Sequence, residues 1–249
     1  MKILNFFLKI KFLERLIHSI IKNFFIINNL KTIYVNYKKL LLEIDISDSF
    51  DRLFLFKRDW EEEQINFIID YIKKNEIKIF IDIGSNFGLY SLIVAKEIDK
   101  IKILSFEPIK VTFEKFERNI KLNNFENIIN AFNLGLSNKK RISYFKSKIV
   151  NDFNQTSTFR VSEKGNETGK LILGDNIINY KDKILAMKID AEGHELEILK
   201  GLHNSLVNNK IFLQIEIWPE NLIRVNLFLK KMNFILFKTI HSDYFFKNH

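Results

Sequence analysis

The sequence predicts an α/β fold: a doubly wound, mostly parallel seven-stranded sheet covered on both faces, with a C-terminal antiparallel hairpin and an N-terminal helical extension. Three observations carry this. From residue 79 onward, short apolar runs alternate with amphipathic segments of helical period. A turn containing Gly84 and Gly88 joins the first of those runs to the helix after it. The last two apolar runs follow each other with no helix between them.

The N-terminal extension is read from a helical wheel. Ile10, Phe12, Leu13, Leu16, Ile17, Ile20, Ile21 and Phe24 share one face, and Lys11, Glu14, Arg15, His18, Ser19 and Lys22 share the other. That is an amphipathic helix with a basic polar side. Residues 1–40 hold eight basic side chains and one acid, so they carry most of the chain's net charge of +9. Two readings stand for residues 10–24: packing on the main domain or on a second subunit of a homo-oligomer, and peripheral contact in the plane of an anionic membrane. No stretch reaches the ~18 uncharged apolar residues that span a bilayer. A secretory leader fits poorly, because Lys9, Lys11, Glu14 and Arg15 interrupt the apolar region. The expected location is cytoplasmic, at the inner membrane face if the helix lies on lipid.

Residues 40–46 and 53–56 read as short strands around a turn, and residues 60–75 as a helix with Glu61, Glu62 and Glu63 in its first turn. Strands are then expected over 79–83, 101–106, 128–134, 185–189 and 211–217. Helices are expected over 89–97, 111–122, 195–206 and 221–232, and the closing hairpin pairs 234–237 with 244–247. Residues 141–175 break the rhythm as a β/loop insertion, with β-like pieces at 142–145 and 158–161 and a polar loop over 162–169. Such an insertion lies at the ligand-binding edge of an open α/β sheet, and we expect it to wall the substrate site. The organisation is therefore an extension over 1–49 and one α/β domain over 50–249.

The chain has 249 residues and no cysteine. This excludes a disulfide scaffold, a thiolate metal site and a Cys nucleophile. Its two prolines, Pro108 and Pro219, stand alone, so a loop needing adjacent prolines is excluded as well.

The segment Ile81-Asp82-Ile83-Gly84-Ser85-Asn86-Phe87-Gly88 lies between a strand and a helix. Gly84 and Gly88 permit a tight turn and close approach of a ligand, and the helix that follows presents free N–H groups. Asn86 is a favoured residue for capping that helix. Glu107 ends the next strand, where a carboxylate in doubly wound folds hydrogen-bonds the ribose hydroxyls of an adenosine. The Gly-x-Gly-x-x-Gly fingerprint of dinucleotide sites is absent, and so is a P-loop. S-adenosylmethionine needs only an amino-acid contact near the loop and a ribose clamp. The candidate cofactor residues are Asp82, Gly84, Ser85, Asn86, Gly88 and Glu107.

Three strings here resemble the signature blocks of FkbM-family methyltransferases. They are Phe80-Ile81-Asp82-Ile83-Gly84-Ser85-Asn86-Phe87-Gly88, Phe106-Glu107-Pro108 and Lys188-Ile189-Asp190-Ala191-Glu192-Gly193-His194-Glu195. Arg118 to Asn123 and Gly135-Leu136-Ser137 are similar to two further stretches of that family. The resemblance spans roughly residues 50–247, by motif order along a doubly wound sheet. It implies the class I methyltransferase fold, which is Rossmann-like, S-adenosylmethionine as methyl donor, and an O-methylated product. Asn86 stands where many class I enzymes have a glycine.

The candidate catalytic residues are Asp190 and Glu192, which follow the fourth strand and face the cleft in this fold, where they would orient or deprotonate a substrate hydroxyl. Acids in a helix first turn also serve the helix dipole alone, and Glu195 fits that role. His194, in the first turn, is expected to face solvent and is not assigned as base. Glu216 ends the fifth strand toward the same cleft. Asp190, Glu192 and Glu216 together form a carboxylate set of the kind hard cations take, though no metal site is assigned.

The leading expectation is an S-adenosylmethionine-dependent O-methyltransferase acting on a small-molecule or glycan hydroxyl, the acceptor class coming from the resemblance. Two alternatives remain open: an RNA methyltransferase or binder using the basic arm, and a non-catalytic membrane- or partner-binding protein. Outside residues 1–40 the net charge is only +2, which disfavours a nucleic-acid groove.

Overall fold

The computed structural model describes residues 32–56, 60–147, 149–150, 153–154 and 159–249. The basic helix expected over 10–24 lies outside them. In chain order the first elements are β1 (Thr32–Tyr37), β2 (Leu40–Asp45), α1 (Ser49–Phe56), α2 (Glu62–Lys74), β3 (Ile79–Ile83), α3 (Leu89–Glu97), β4 (Lys102–Phe106), α4 (Lys110–Leu122) and β5 (Ile129–Phe132). Then come β6 (Gly135–Ser137), β7 (Arg141–Lys146), β8 (Ile149–Val150), β9 (Phe153–Asn154), β10 (Arg160–Ser162) and β11 (Glu167–Leu173). The chain ends with β12 (Ile184–Ile189), α5 (Glu195–Gly201), α6 (His203–Val207), β13 (Lys210–Glu216), α7 (Leu222–Lys231), β14 (Ile235–Ile240) and β15 (Asp243–Lys247). Two units share these elements: residues up to Trp60 with 149–154, and residues 61–147 with 159–249.

In the first unit β1 and β2 form an antiparallel hairpin across Lys38 and Lys39, both at positive φ. The alternating, β-branched Thr-Ile-Tyr-Val-Asn-Tyr of β1 is a strand signal that the reading above did not use. The strand expected over 53–56 is instead the end of α1. Asp48 decides this: its Oδ1 accepts the backbone N–H groups of Phe50 and Asp51 at 2.8 and 3.1 Å, a capping contact that starts a helix.

The second unit holds a seven-stranded sheet in the order β14-β15-β13-β12-β3-β4-β5. Strands β13, β12, β3, β4 and β5 run parallel, and β15 and β14 add the antiparallel hairpin. This is the doubly wound, mostly parallel seven-stranded sheet that the sequence predicts. Because strand residues alternate between faces, Ile81, Ile83, Leu104, Phe106, Met187, Ile189, Leu213 and Ile215 share one face. They pack with Ile198 and Leu199 of α5, Leu206 of α6, and Val225 and Leu229 of α7. Each such side chain contributes about 1.5–3 kcal/mol by leaving water.

The opposite face meets α2 and α3. Seven consecutive residues of α3, Leu89 to Ala95, are buried, as expected for a helix apolar on all sides. Toward the hairpin edge this face is aromatic. Tyr71 of α2 stacks on Phe212 at 3.5 Å between ring centroids, and Phe67 meets Phe245 edge-on at 4.7 Å.

The segment after β5 forms a second, four-stranded sheet in the order β10-β7-β11-β6. The polar loop expected over 162–169 is shorter than predicted, since Glu167 to Gly169 belong to β11 and pair with Phe145 to Ser143 of β7. Backbone pairing outweighed their polar composition. Among the described residues no helix is long and apolar enough to cross a membrane.

The aromatic packing yields a first prediction. Phe212→Ala should lower the unfolding free energy by about 3–5 kcal/mol, read as a fall in the urea midpoint with unchanged slope.

Candidate functional site

In this sheet order the chain turns one way from β3 to β4 and the other way from β12 to β13. The crevice outside the carboxyl ends of β3 and β12 is therefore the switch point where open α/β sheets bind ligands. Every residue singled out for the cofactor stands on its β3–β4 side.

Gly84 follows β3 at φ +79°, and a Cβ there would lie 1.8 Å from the carbonyl oxygen of Asp190 after β12. The two strand ends thus close on each other only because position 84 has no side chain. Gly88, at φ +94°, would drive a Cβ into the Phe116 ring at 2.1 Å. The backbone N–H groups of Gly84 and Ser85 donate to the Phe106 carbonyl, tying the turn to the end of β4.

Asn86 does not cap α3. It sits at φ +51°, its Oδ1 accepts the N–H of Phe87 at 2.8 Å, and Gly88 precedes the helix without a side-chain cap. The left-handed turn points the amide at its own neighbour. The backbone N–H of Asn86 donates to Glu107 Oε2 at 3.0 Å, while Ile109 N donates to Oε1 at 2.8 Å. Glu107 is thereby locked against the glycine turn, and burial pushes its carboxyl up to about 7 against the pull of those two bonds. Each oxygen keeps a second lone pair.

Asp82 is fully buried. Ser91 Oγ of α3 donates to its Oδ2 at 2.6 Å, and Ser91 and Ser105 share a hydroxyl bond at 2.7 Å. Its Oδ1 and the Ser85 hydroxyl are buried without a hydrogen-bond partner. Such orphaned atoms beside a glycine turn fit the polar end of a ligand.

The pairing register aligns Ser105, Asp82, Lys188 and Gln214 side by side across β4, β3, β12 and β13. All four are buried on the α3 face. Lys188, only 4% exposed, donates to Asp190 Oδ2 at 3.0 Å and lies over the Tyr90 ring at 4.6 Å. Burial alone would lower its pKa, but Asp190, Asp82, Glu61 and Asp243 together raise it, so the ammonium stays charged.

Around this cation the acids divide. Burial raises Asp190, yet Lys188 overcomes it and holds the carboxyl below its usual range. Glu216, at the end of β13, is pushed up to about 9 by burial and by the charge of Asp190, with which it shares a hydrogen bond. The pair therefore carries one proton at neutral pH. Burial also lifts Glu61 to about 7.

Glu61 corrects the reading of the acidic first turn. It precedes α2 in a left-handed conformation, hydrogen-bonded through its carboxyl to Tyr90 rather than serving the helix dipole. Tyr90 accepts from Gln214 Nε2 at 2.9 Å, and Gln214 also donates to Asp243 at 2.8 Å. None of Lys188, Glu61, Tyr90, Gln214 and Asp243 was assigned to the site from the sequence. The signal was a lysine, a glutamine and a serine in otherwise apolar strands.

Glu192 does not join Asp190 and Glu216. At φ +52° its carboxylate turns toward Arg160 of β10, Oε2 lying 3.9 Å from Nε. Among the described residues no three His, Asp or Glu side chains are grouped to hold a metal ion, so Asp190, Glu192 and Glu216 do not converge as a cation shell. His194 does not face solvent freely: its Nε2 lies 2.9 Å from Ser137 Oγ. Burial and Arg141 lower its pKa to about 4, which leaves it neutral.

The methyltransferase FkbM domain matches residues 82–236, well over half of the chain. The chain belongs to the FkbM methyltransferase family. The match begins at Asp82 and spans the glycine turn, Glu107 and the Lys188–Glu195 block, so the family's signature coincides with the crevice described above. Hexuronic acid methyltransferase AglP of Haloferax volcanii is 30% identical over 149 residues, covering 59% of this chain and 58% of that protein. Methyltransferase sdnD of Sordaria araneosa is 29% identical over 178 residues, covering 58% and 68%. The chain thus spans less than two thirds of the length of AglP. Among solved structures, precorrin-6y C5,15-methyltransferase from Geobacter metallireducens aligns over 74% of this chain and 86% of that one, at 10% identity and a TM-score of 0.45.

The charge arrangement has a measurable consequence. Glu61, Glu107 and Glu216 have folded pKa values above the ordinary 4.5. The stability they confer is complete below 4.5 and is lost as pH rises through about 7 to about 9. Lys188→Met removes the cation that offsets the buried acids. It should cost about 3–5 kcal/mol at pH 8 and recover part of that at pH 5, where Glu61 is protonated as well as Glu216. Urea unfolding across that pH range reads both effects.

Proposed function

We propose that the chain is an S-adenosylmethionine-dependent O-methyltransferase whose acceptor is a hydroxyl of a sugar, a glycan or a related secondary metabolite. The observation that carries this reading is the glycine turn at the switch point. It is flanked by the strand-end carboxyls of Asp82 and Glu107 and holds two partnerless buried oxygens, Asp82 Oδ1 and Ser85 Oγ. Membership of the FkbM methyltransferase family supports it. The sugar class of the acceptor draws on AglP, a hexuronic acid methyltransferase similar over part of the chain.

In this reading Glu107 receives the ribose hydroxyls, and Asp82, Gly84, Ser85, Asn86 and Gly88 hold the amino-acid end of the donor. When bound, S-adenosylmethionine supplies an electrophilic methyl group on a sulfonium. Most of the chain's contribution is then positioning of the acceptor oxygen. Asp190, kept ionised by Lys188, accepts a hydrogen bond from the acceptor hydroxyl. Glu216 takes the hydroxyl proton once it is itself ionised, so the rate rises with pH toward about 9. Glu192 stands two residues beyond Asp190 and orients the acceptor.

Isothermal titration with S-adenosylhomocysteine tests the cofactor. Binding at ~1–100 µM is expected for the native chain and is lost in Glu107→Ala. Glu216→Gln should keep that binding while lowering methyl transfer to sugar acceptors by ~10²–10⁴-fold, as loss of the general base. Absence of binding by the native chain overturns the proposal.

A further inference from the structure

Arg160 opens β10, in the segment that interrupts the α/β alternation. Its guanidinium carbon lies over the Trp218 ring, 3.4 Å from the centroid. Its Nε is buried and has no hydrogen-bond partner, and the ion pair with Glu192 at 3.9 Å is beyond hydrogen-bond reach. A third of the side chain remains exposed. Among the described residues this leaves one buried guanidinium donor, Nε, without a hydrogen bond, a costly arrangement, while the exposed part of the group keeps its remaining N–H donors open to a ligand.

Its position gives those donors a use. Glu192 lies two residues beyond Asp190, and Trp218 two residues beyond Glu216. Arg160 therefore rests on the two loops that leave the Asp190–Glu216 carboxyl pair. Stacking on indole removes water from one face of the guanidinium and fixes its plane, which presents the edge N–H groups to a planar, bidentate acceptor. Glu192 offsets part of the positive charge, and its nearby carboxylate repels a dianion more than a monoanion. A carboxylate suits this setting better than a phosphate.

We propose that Arg160, stacked on Trp218, is the specificity-determining residue that binds a carboxylate on the acceptor, which makes the acceptor a uronic-acid sugar rather than a neutral one. This rests on the methyltransferase reading for the reaction, but the binding site itself does not require turnover.

The test uses the full chain with excess S-adenosylhomocysteine, titrated with p-nitrophenyl β-glucuronide, p-nitrophenyl β-glucoside and glucose 6-phosphate. The glucuronide is expected to bind about tenfold or more tighter than the glucoside. Arg160→Gln should abolish that preference and Arg160→Lys restore only part of it, because the charge returns without the planar fork. Retained S-adenosylhomocysteine binding in both variants shows that they are folded. Equal binding of glucuronide and glucoside, an unaffected preference in Arg160→Gln, or tighter binding of glucose 6-phosphate than of the glucuronide each overturn the proposal. A native chain that prefers glucuronide yet binds no S-adenosylhomocysteine would uphold the carboxylate site and overturn the methyltransferase reading.

Discussion

One buried cation organises the cleft end of this domain. Lys188 stands in the middle of the parallel sheet with Asp82 beside it on β3, Asp190 two residues on, and Glu61 and Asp243 acting on it from other elements. Removing an ammonium from water is expensive, and so is removing each carboxylate. Together they are tolerated because the charges offset one another and because Ser91 donates to Asp82 Oδ2 and Gln214 to Asp243, leaving Asp82 Oδ1 as the unmet acceptor. Burial, reinforced by the neighbouring acids, raises Glu61 and Glu216, whereas Lys188 holds Asp190 low.

This polar row lies at the carboxyl ends of β3, β12 and β13, one layer from a wholly apolar core. The separation follows from strand geometry. Ile81, Met187 and Leu213 alternate with Asp82, Lys188 and Gln214, so each strand offers one side to the packing of α5 and α7 and the other to the charged network. The cleft is therefore rigid where it must hold groups in place. The glycine turn is pinned on one side by the Asp190 carbonyl against Gly84 and on the other by Glu107 accepting the N–H of Asn86. The second sheet, by contrast, brings a cationic side chain to the rim through Arg160.

Much of this was legible in the residues. Periodicity predicted every strand of the large sheet, and the paired motifs pointed to the crevice at which the family match begins. Three of the readings that failed had separate causes. Residues 53–56 look like a strand in isolation, but Asp48 starts a helix before them. Asn86 has the chemistry of a cap, but its left-handed backbone aims the amide elsewhere. Glu61 suits a helix dipole, yet its carboxyl is drawn to Tyr90. The first was overridden by a capping contact a few residues upstream, the second by a single backbone angle, and the third by a neighbour distant in sequence.

By itself the sequence determined the order of elements, the faces of the strands and the glycine turn with its flanking acids, because periodicity and turn chemistry are local properties of the chain. Only the tertiary structure decided which acids meet which bases. Asp190 faces Lys188 and Glu216, whereas Glu192, two positions on, faces Arg160. That difference depends on one positive φ at Glu192 and on which strands lie side by side. Strand adjacency arises from long-range packing that no local pattern encodes.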